Sequence, residues 1–246
     1  MVKPQLESGD KSAAGRLEPL LDCIKSNPLF SNLADEDISC FQNVAQVRLY
    51  KKEKILYVEE EPAKYFYIII SGWIKLFHMT REGEEVIVDM LTGSHIFGES
   101  ALFAQDQHMC SAQVIEDAQL LSIPSKLLRD QIRSNPALAH NMMYSLSRHH
   151  RGHYSDLAFN AMLTAPQRIG YFLLRLCPKS KKENVVFHLP YDKALIAKTL
   201  GMKGATFSRA LNILRQKTGI HINDARVEIS SVAQLAKFVY GTVVPQ

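Results

Sequence analysis

Between Lys198 and Lys217 the chain sets out side chains suited to nucleic acid: Lys198, Lys203, Thr206, Ser208, Arg209, Asn212, Arg215 and Lys217. Lysine and arginine neutralise phosphates, and hydroxyl, amide and guanidinium groups bond phosphate oxygens or base edges in a major groove. Lys203, Thr206, Ser208, Arg209 and Asn212 fall on the face left over when Phe207, Leu211 and Leu214 turn inward at helical spacing. Ile196, Ala197 and Leu200 form another apolar stripe just upstream. Gly201, between the two stripes, supplies the left-handed turn that a side chain resists. The pattern predicts a helix-turn-helix with a basic, hydroxyl-rich outer face, on which Lys198, Arg215 and Lys217 are secondary phosphate candidates. An αα-hairpin with a solvated basic face is the plainer alternative.

Charge separates these readings. The 246 residues carry a net charge of +4. Residues 164–246 hold 13 Lys plus Arg against 4 Asp plus Glu, whereas residues 1–163 hold 16 against 21. A unit at +9 is therefore joined to one at −5, as expected if only the C-terminal part enters a phosphate field.

The remaining elements must position that face. Strand patterns run over Val44 to Tyr50, Lys54 to Val58, Tyr65 to Ser71, Gly72 to Met79, Glu85 to Met90, Ser111 to Val114 and Ala118 to Pro124, preceded by short helical pieces. They predict a β-roll or a sandwich, with Ser71-Gly72 linking two strands. A helix over Lys126 to Ser134 precedes a long one opened by Pro136. Along the latter, Leu138, Met142, Leu146, His149, His153 and Leu157 make a continuous stripe that predicts a seam with a twin helix, packing on the chain's own roll being the alternative. After a helix from Thr164 to Cys177 come a strand over Val185 to Leu189, the helix-turn-helix, two strands forming a wing around Asn223-Asp224-Ala225, and a closing helix over Ser231 to Tyr240. The expected class is α+β, divided into a flexible terminus (1–19), a sensory roll (20–134), a dimerisation helix (135–163) and a winged-helix unit (164–246).

Composition excludes several function classes. No apolar run reaches the about 18 residues of a transmembrane helix. Met1 to Gly15 is polar rather than a secretion signal, and a cytoplasmic location is expected. Cys23, Cys40, Cys110 and Cys177 lack metal-ligand spacing, so no metal site is expected. A cupin-like enzyme would use His78, His95 and His108, but no His-x-His with a nearby carboxylate occurs, and no enzymatic activity is expected. A sensory adaptor contacting protein instead of DNA is the remaining alternative.

The order of roll, Gly98-Glu99-Ser100-Ala101-Leu102-Phe103, long helix and winged helix carrying Thr206-Phe207-Ser208-Arg209 resembles the CRP/FNR superfamily of bacterial transcription regulators. The likeness spans Leu20 to Leu235. Phe66-Tyr67, Ile70-Ser71-Gly72 and Thr80-Arg81-Glu82-Gly83 are most similar to its Dnr-like branch, which regulates nitrogen-oxide respiration. The resemblance implies a homodimer whose roll repositions two winged helices over a near-palindromic double-stranded DNA operator, with RNA polymerase as partner of an activator. It also implies that Ser208 and Arg209 contact bases while Thr206 and Lys203 hold phosphates. Ala205 stands where the family carries a Glu, and Gly204 is small where many members carry a longer contact residue. Discrimination within the TTGAT-type half-site is therefore expected to relax.

The same resemblance makes Gly98, Glu99, Ser100, Cys110, Ser111, His153 and Tyr154 the effector-pocket candidates. Cyclic-nucleotide receptors of the superfamily close an Arg-Ser pair on the phosphate, and here that pair reads Cys110-Ser111. His153-Tyr154 replaces the Thr-Ser pair that reads adenine. Without a guanidinium the phosphate loses its bidentate partner, and cyclic AMP is not expected to bind. Oxygen sensing of the FNR type needs an N-terminal cysteine cluster, of which only Cys23 is present. The likeness to the Dnr-like branch, whose members respond to nitric oxide through haem, keeps haem open as a cofactor and a haem-based nitric oxide or redox sensor as the alternative; Met142, Met143, Ile68, Ile70, Ile87 and Phe97 suit an apolar haem cleft or an ordinary core. His149, His150 and His153, beside Arg148 and Arg151, suit ligation or a solvated cluster. A sensor that holds no ligand completes the alternatives.

Overall fold

A computed structural model describes residues 23–103, 105–177, 183–189, 193–223 and 225–241, without the side chains of residues 149, 153, 155–158 and 160. The polar terminus, the charged loop after Cys177, the break at Pro190 and the tip of the wing at Asp224 lie outside the described residues.

A short helix over residues 23–26 and a 3-10 turn at Pro28–Phe30 lead into α1 (Asp35–Gln42), whose first turn holds Asp35, Glu36 and Asp37 against the positive end of the helix dipole. The roll follows: β1 (Gln46–Tyr50), β2 (Ile55–Tyr57), β3 (Tyr65–Met79), β4 (Glu85–Leu91), β5 (Ile96–Phe97), a 3-10 turn at Glu99–Phe103, and β6 (Ser111–Pro124). The sheet runs β1-β6-β3-β4, with β2 also on β6 and β5 also on β3.

Two expectations are corrected here. Tyr65 to Ser71 and Gly72 to Met79 are one strand, as are Ser111 to Val114 and Ala118 to Pro124. The long strands β3 and β6 pair antiparallel along their length, and register shifts between Ile69 and Ile74 take up the irregularity. Gly72, at φ +90°, bends β3 through these bulges instead of turning it back. A Cβ there would lie 2.5 Å from the Asp117 carbonyl oxygen, so the glycine is required by the neighbouring backbone. Local patterning reads such a bend as a strand end.

α2 (Ser125–Ser134) precedes the long α3 (Pro136–Met162), whose N-terminus is capped by Asn135 through its side-chain oxygen to the Ala137 and Leu138 amides. The predicted dimer stripe is corrected in its first half. Leu138 and Met142 are buried in one cluster with Phe30, Phe41, Phe66, Ile68 and Leu121, and Leu146 is half-buried against it. That face of α3 is taken by its own roll, because burying it there removes the large apolar surface of the sheet's outer side from water. The side chains of His149, His153 and Leu157 lie outside the described set.

The winged-helix unit comprises α4 (Ala165–Leu176), β7 (Glu183–His188), α5 (Lys193–Thr199), α6 (Gly204–Thr218), β8 (His221–Asn223), β9 (Arg226–Ser231) and α7 (Val232–Tyr240). The wing is a three-stranded sheet in the order β7-β9-β8, so β7 joins the predicted hairpin. The Gln167 side-chain oxygen accepts from the Thr164 amide and hydroxyl, at 3.1 and 2.7 Å, closing the start of α4. Gly170 lets α4 and α7 approach, since a Cβ would lie 2.7 Å from Val239 Cγ2. Trp73 and Met90 of the roll belong to the same apolar cluster as Leu173, Ile196, Phe207 and Leu214.

Candidate nucleic-acid interface

Ile196, Ala197, Phe207, Leu211 and Leu214 are buried and hold α5 and α6 together, while Leu200 is partly exposed. Gly201 has φ +61°, the left-handed turn demanded by the two stripes. Lys203, Ser208, Arg209 and Asn212 are exposed on α6 and its N-cap, with Thr206 at the edge of that face. No side chain caps α6 at Lys203, so its first amides point outward beside a lysine, an arrangement that favours negative charge. Arg209 folds back with Nε 3.3 Å from the Ala205 carbonyl, leaving the rest of the fork directed to solvent. Lys198 and Lys217 are exposed as well.

Arg215 departs from its expected role. It is partly buried, and one guanidinium nitrogen donates to the Ile222 carbonyl at 2.7 Å. The residue ties α6 to wing strand β8, because a half-buried guanidinium seeks the nearest unpaired acceptor. Arg168 acts in parallel at the turn, donating to the Leu200 carbonyl at 3.3 Å.

The roll carries most of the effector-pocket candidates. Gly98, at φ +83°, begins the turn into Glu99, which is 4% exposed. Burial holds the Glu99 carboxyl at about 7, opposed by a backbone hydrogen bond. Cys110, at the end of the loop preceding β6, is pushed up to about 11 by burial and by the charges of Glu59, Asp89 and Glu99. Ser111 is buried, and its hydroxyl accepts from the Glu59 amide at 3.0 Å. Ser100 is half-exposed at the rim. His108 stacks on Tyr57 at 3.5 Å between centroids, with Tyr67 and Phe97 packed behind. Burial holds His108 down at about 4, so its ring is neutral at pH 7.

Tyr154 does not join this group. It is exposed, edge-on to His150, and its spacing from Met143 places both on one face of α3, away from Leu138 and Met142. The suggested haem lining is also dispersed. Ile68, Ile70 and Met142 pack in one cluster, Phe97 in a second and Ile87 against a third, while Met143 is exposed. Among the described residues no three His, Cys, Asp or Glu side chains converge as metal ligands.

The family model for the cyclic nucleotide-binding domain matches residues 47–135, and that for the Crp-like helix-turn-helix domain matches residues 167–238. The cyclic AMP receptor protein of Thermus thermophilus is 27% identical over 89% of this chain and 99% of its own length. The transcriptional activator protein Anr of Pseudomonas protegens is 27% identical over 88% of this chain and 89% of its own. FixK2 from Bradyrhizobium japonicum shares the fold, with a TM-score of 0.70 and 22% identity over 79% of this chain and 96% of that one. The chain belongs to the CRP/FNR superfamily. It is a transcriptional regulator with a DNA-binding helix-turn-helix and an effector-type roll.

Within this CRP/FNR roll, the buried stack of Tyr57, Tyr67 and His108 has no signature in the sequence. Tyr57 is on β2 and His108 in the loop before β6, so their stacking follows from sheet register rather than from any local pattern. Lys75 has no such signature either. It is the only lysine or arginine buried among the described residues, paired with Glu85 and lying over the Phe77 ring at 4.7 Å.

Proposed function

We propose that this CRP/FNR regulator is a homodimer that reads a near-palindromic duplex with α6, controlled through its roll by something other than a cyclic nucleotide. The exposed face of Lys203, Ser208, Arg209 and Asn212, in a unit carrying +9 against −5 for the rest, carries the reading. Arg209 takes a base edge, Lys203 and Thr206 hold phosphates, and Lys198 and Lys217 extend the phosphate track. Residues 20–134 form the sensory unit, 135–163 the dimer helix and 164–246 the reader.

The dimer seam is assigned to the side of α3 that the roll leaves open. Met143, Tyr144, Tyr154 and Met162 are each more than half exposed there, an apolar row unusual for solvent. RNA polymerase is the partner if the operator lies where the protein activates.

Cyclic AMP is disfavoured by charge. The position of the phosphate-binding Arg holds a neutral thiol facing Glu59, Asp89 and Glu99, and Lys75 is committed to Glu85. A phosphate placed there would meet carboxylates without a guanidinium to offset them.

A gel shift on genomic fragments across a salt series tests the reading. The expected result is a selected fragment whose affinity falls steeply with salt, bound by a species of twice the chain mass. Binding equal to that of random DNA at every salt concentration would leave an adaptor as the better account.

A further inference from the structure

His108 is 5% exposed, yet among the described residues neither nitrogen of its imidazole makes a hydrogen bond. A buried polar ring in that position loses its bonds to water without replacing them. One contact holds it: the ring lies flat on Tyr57, 3.5 Å between centroids and 6° from parallel. Tyr57 packs in turn on Tyr67 and Phe97, themselves stacked at 5.1 Å, so the imidazole is the outer layer of an aromatic pile.

A short backbone ladder brings the ring there. The His108 amide donates to the Glu61 carbonyl at 3.0 Å, its carbonyl accepts from the Glu60 amide at 2.8 Å, and the Asp106 carbonyl accepts from the Ala63 amide at 2.8 Å. Alternation along this extended stretch turns His108 inward and Met109 outward. Because the ladder uses main-chain groups alone, the side chain can leave Tyr57 without breaking it. The Gly98 backbone borders the ring, where a Cβ would stand 3.5 Å from His108 Cε1.

A replacement for the imidazole must be flat, to keep the stack, and without charge. Lys75, the only buried lysine or arginine among the described residues, is committed to Glu85, so an anion drawn in here finds no counter-charge. A cation is rejected as well, since burial keeps the His108 ring neutral at pH 7 in spite of the charge of Glu61. Glu99 bears on the same place: the Tyr57 phenol is held well above its ordinary range by burial first, then by the charges of Cys110 and Glu99. The Glu99 carboxyl, protonated up to about 7, both gives and takes hydrogen bonds.

We propose that Tyr57 is the effector seat of the roll: a flat, uncharged heteroaromatic molecule of one or two rings takes the place of the His108 imidazole on Tyr57, with a polar edge towards Glu99. The seat rests on the reading that the roll controls the DNA-binding unit, and adds the class of molecule that does so. Asp106, two residues from the displaced ring, pairs with Arg129 of α2, and α2 leads into α3, so the displacement has a route out of the roll.

The test titrates the full-length protein, free of DNA, with indole in a calorimeter. One indole per chain is expected, bound about tenfold more tightly by His108→Ala, whose Tyr57 face is open. Binding should be about tenfold weaker in His108→Phe, whose ring stays stacked, and in Tyr57→Leu, which has no ring to stack on. Indole-3-acetate, the same ring bearing a carboxylate, should bind the wild type about tenfold more weakly than indole or worse. No saturable binding to the wild type, equal affinities of the wild type and His108→Phe, or tighter binding of the carboxylate would overturn the seat. If His108→Ala does not fold, the wild type against His108→Phe and Tyr57→Leu decides. Indole at saturation should shift affinity for the selected DNA fragment about fivefold or more, and an unshifted affinity would overturn the seat as the effector site. If no fragment is selected, the DNA-binding reading fails instead, and the titration still decides whether Tyr57 takes a guest.

Discussion

Lys203, Ser208, Arg209 and Asn212 of the winged-helix unit stand in solvent, whereas Glu99, His108 and Ser111 of the roll are almost wholly enclosed. The two sites are built on opposite principles. A surface that meets a polyanion needs fixed positive charge and open hydrogen-bond donors, and a rigid helix supplies both without burying a polar group. The candidate effector residues of the roll are enclosed, and enclosure shifts ionisation: Glu99 rises to about 7, His108 falls to about 4 and Cys110 rises to about 11. The reader is therefore expected to respond to salt and the sensor to pH.

The sharpest way to break this contrast is through the roll's backbone. Gly72→Ala drives a Cβ into the Asp117 and Ala118 backbone at a positive φ, a loss of about 3–5 kcal/mol from strain and overpacking. Denaturant unfolding followed by Trp73 fluorescence should register the loss. A variant as stable as the wild type would mean that β3 and β6 separate easily.

Titration of the enclosed site comes next. Because the folded chain keeps a proton on Glu99 between pH 4.5 and about 7 that the unfolded chain releases, this group's contribution to stability rises as pH falls through that window. Above it the buried charge is a standing penalty of about 3 kcal/mol. Glu99→Gln is expected to stabilise at pH 8 by up to that amount and to change little at pH 4. His108 works in the other direction, losing stability as pH falls from 6.5 towards 4. Thermal unfolding of the glutamine variant should show the His108 limb alone, and a persisting gain on acidification would contradict the Glu99 assignment.

Gly170→Ala moves the perturbation to the reader. Val239 and Leu235 must shift to admit the methyl, at about 1–3 kcal/mol, and operator affinity should fall with the packing of α4 on α7. Smaller effects distinguish the outer residues. Arg209→Ala should lose about 1–3 kcal/mol of discrimination at one base pair, whereas Lys203→Ala should weaken all sequences alike and lower the salt slope by about one. Competition binding with single-base operator variants separates them, and identical losses on specific and random DNA would merge the two roles.

The reader was legible because its information is local. Stripes three and four residues apart, Gly201 between them and basic residues on the opposite face follow from helix geometry alone, and Thr206-Phe207-Ser208-Arg209 among them carried part of the superfamily likeness. The roll was legible as strands but not as a site. Tyr57 meets His108 only through the pairing of β2 and β6, and Gly72 reads locally as a strand end although its bulge continues β3. Arg215 and the α3 stripe taught the same lesson on helices. Spacing tells which residues share a face, and only the partner across that face, the Ile222 carbonyl or the roll, tells what the face does.

The sequence by itself determined the helix-turn-helix, from residue identity over a few turns of chain, and the charge division, from composition alone; that Cys110 stands where a guanidinium is expected came only with the superfamily resemblance. The tertiary structure alone decided that Leu138 and Met142 pack on the roll, that Glu99 and His108 are both buried, and that β4 meets the reader at Thr199. Those outcomes compare distant surfaces for the same apolar area and the same acceptors, a competition that a linear pattern does not contain.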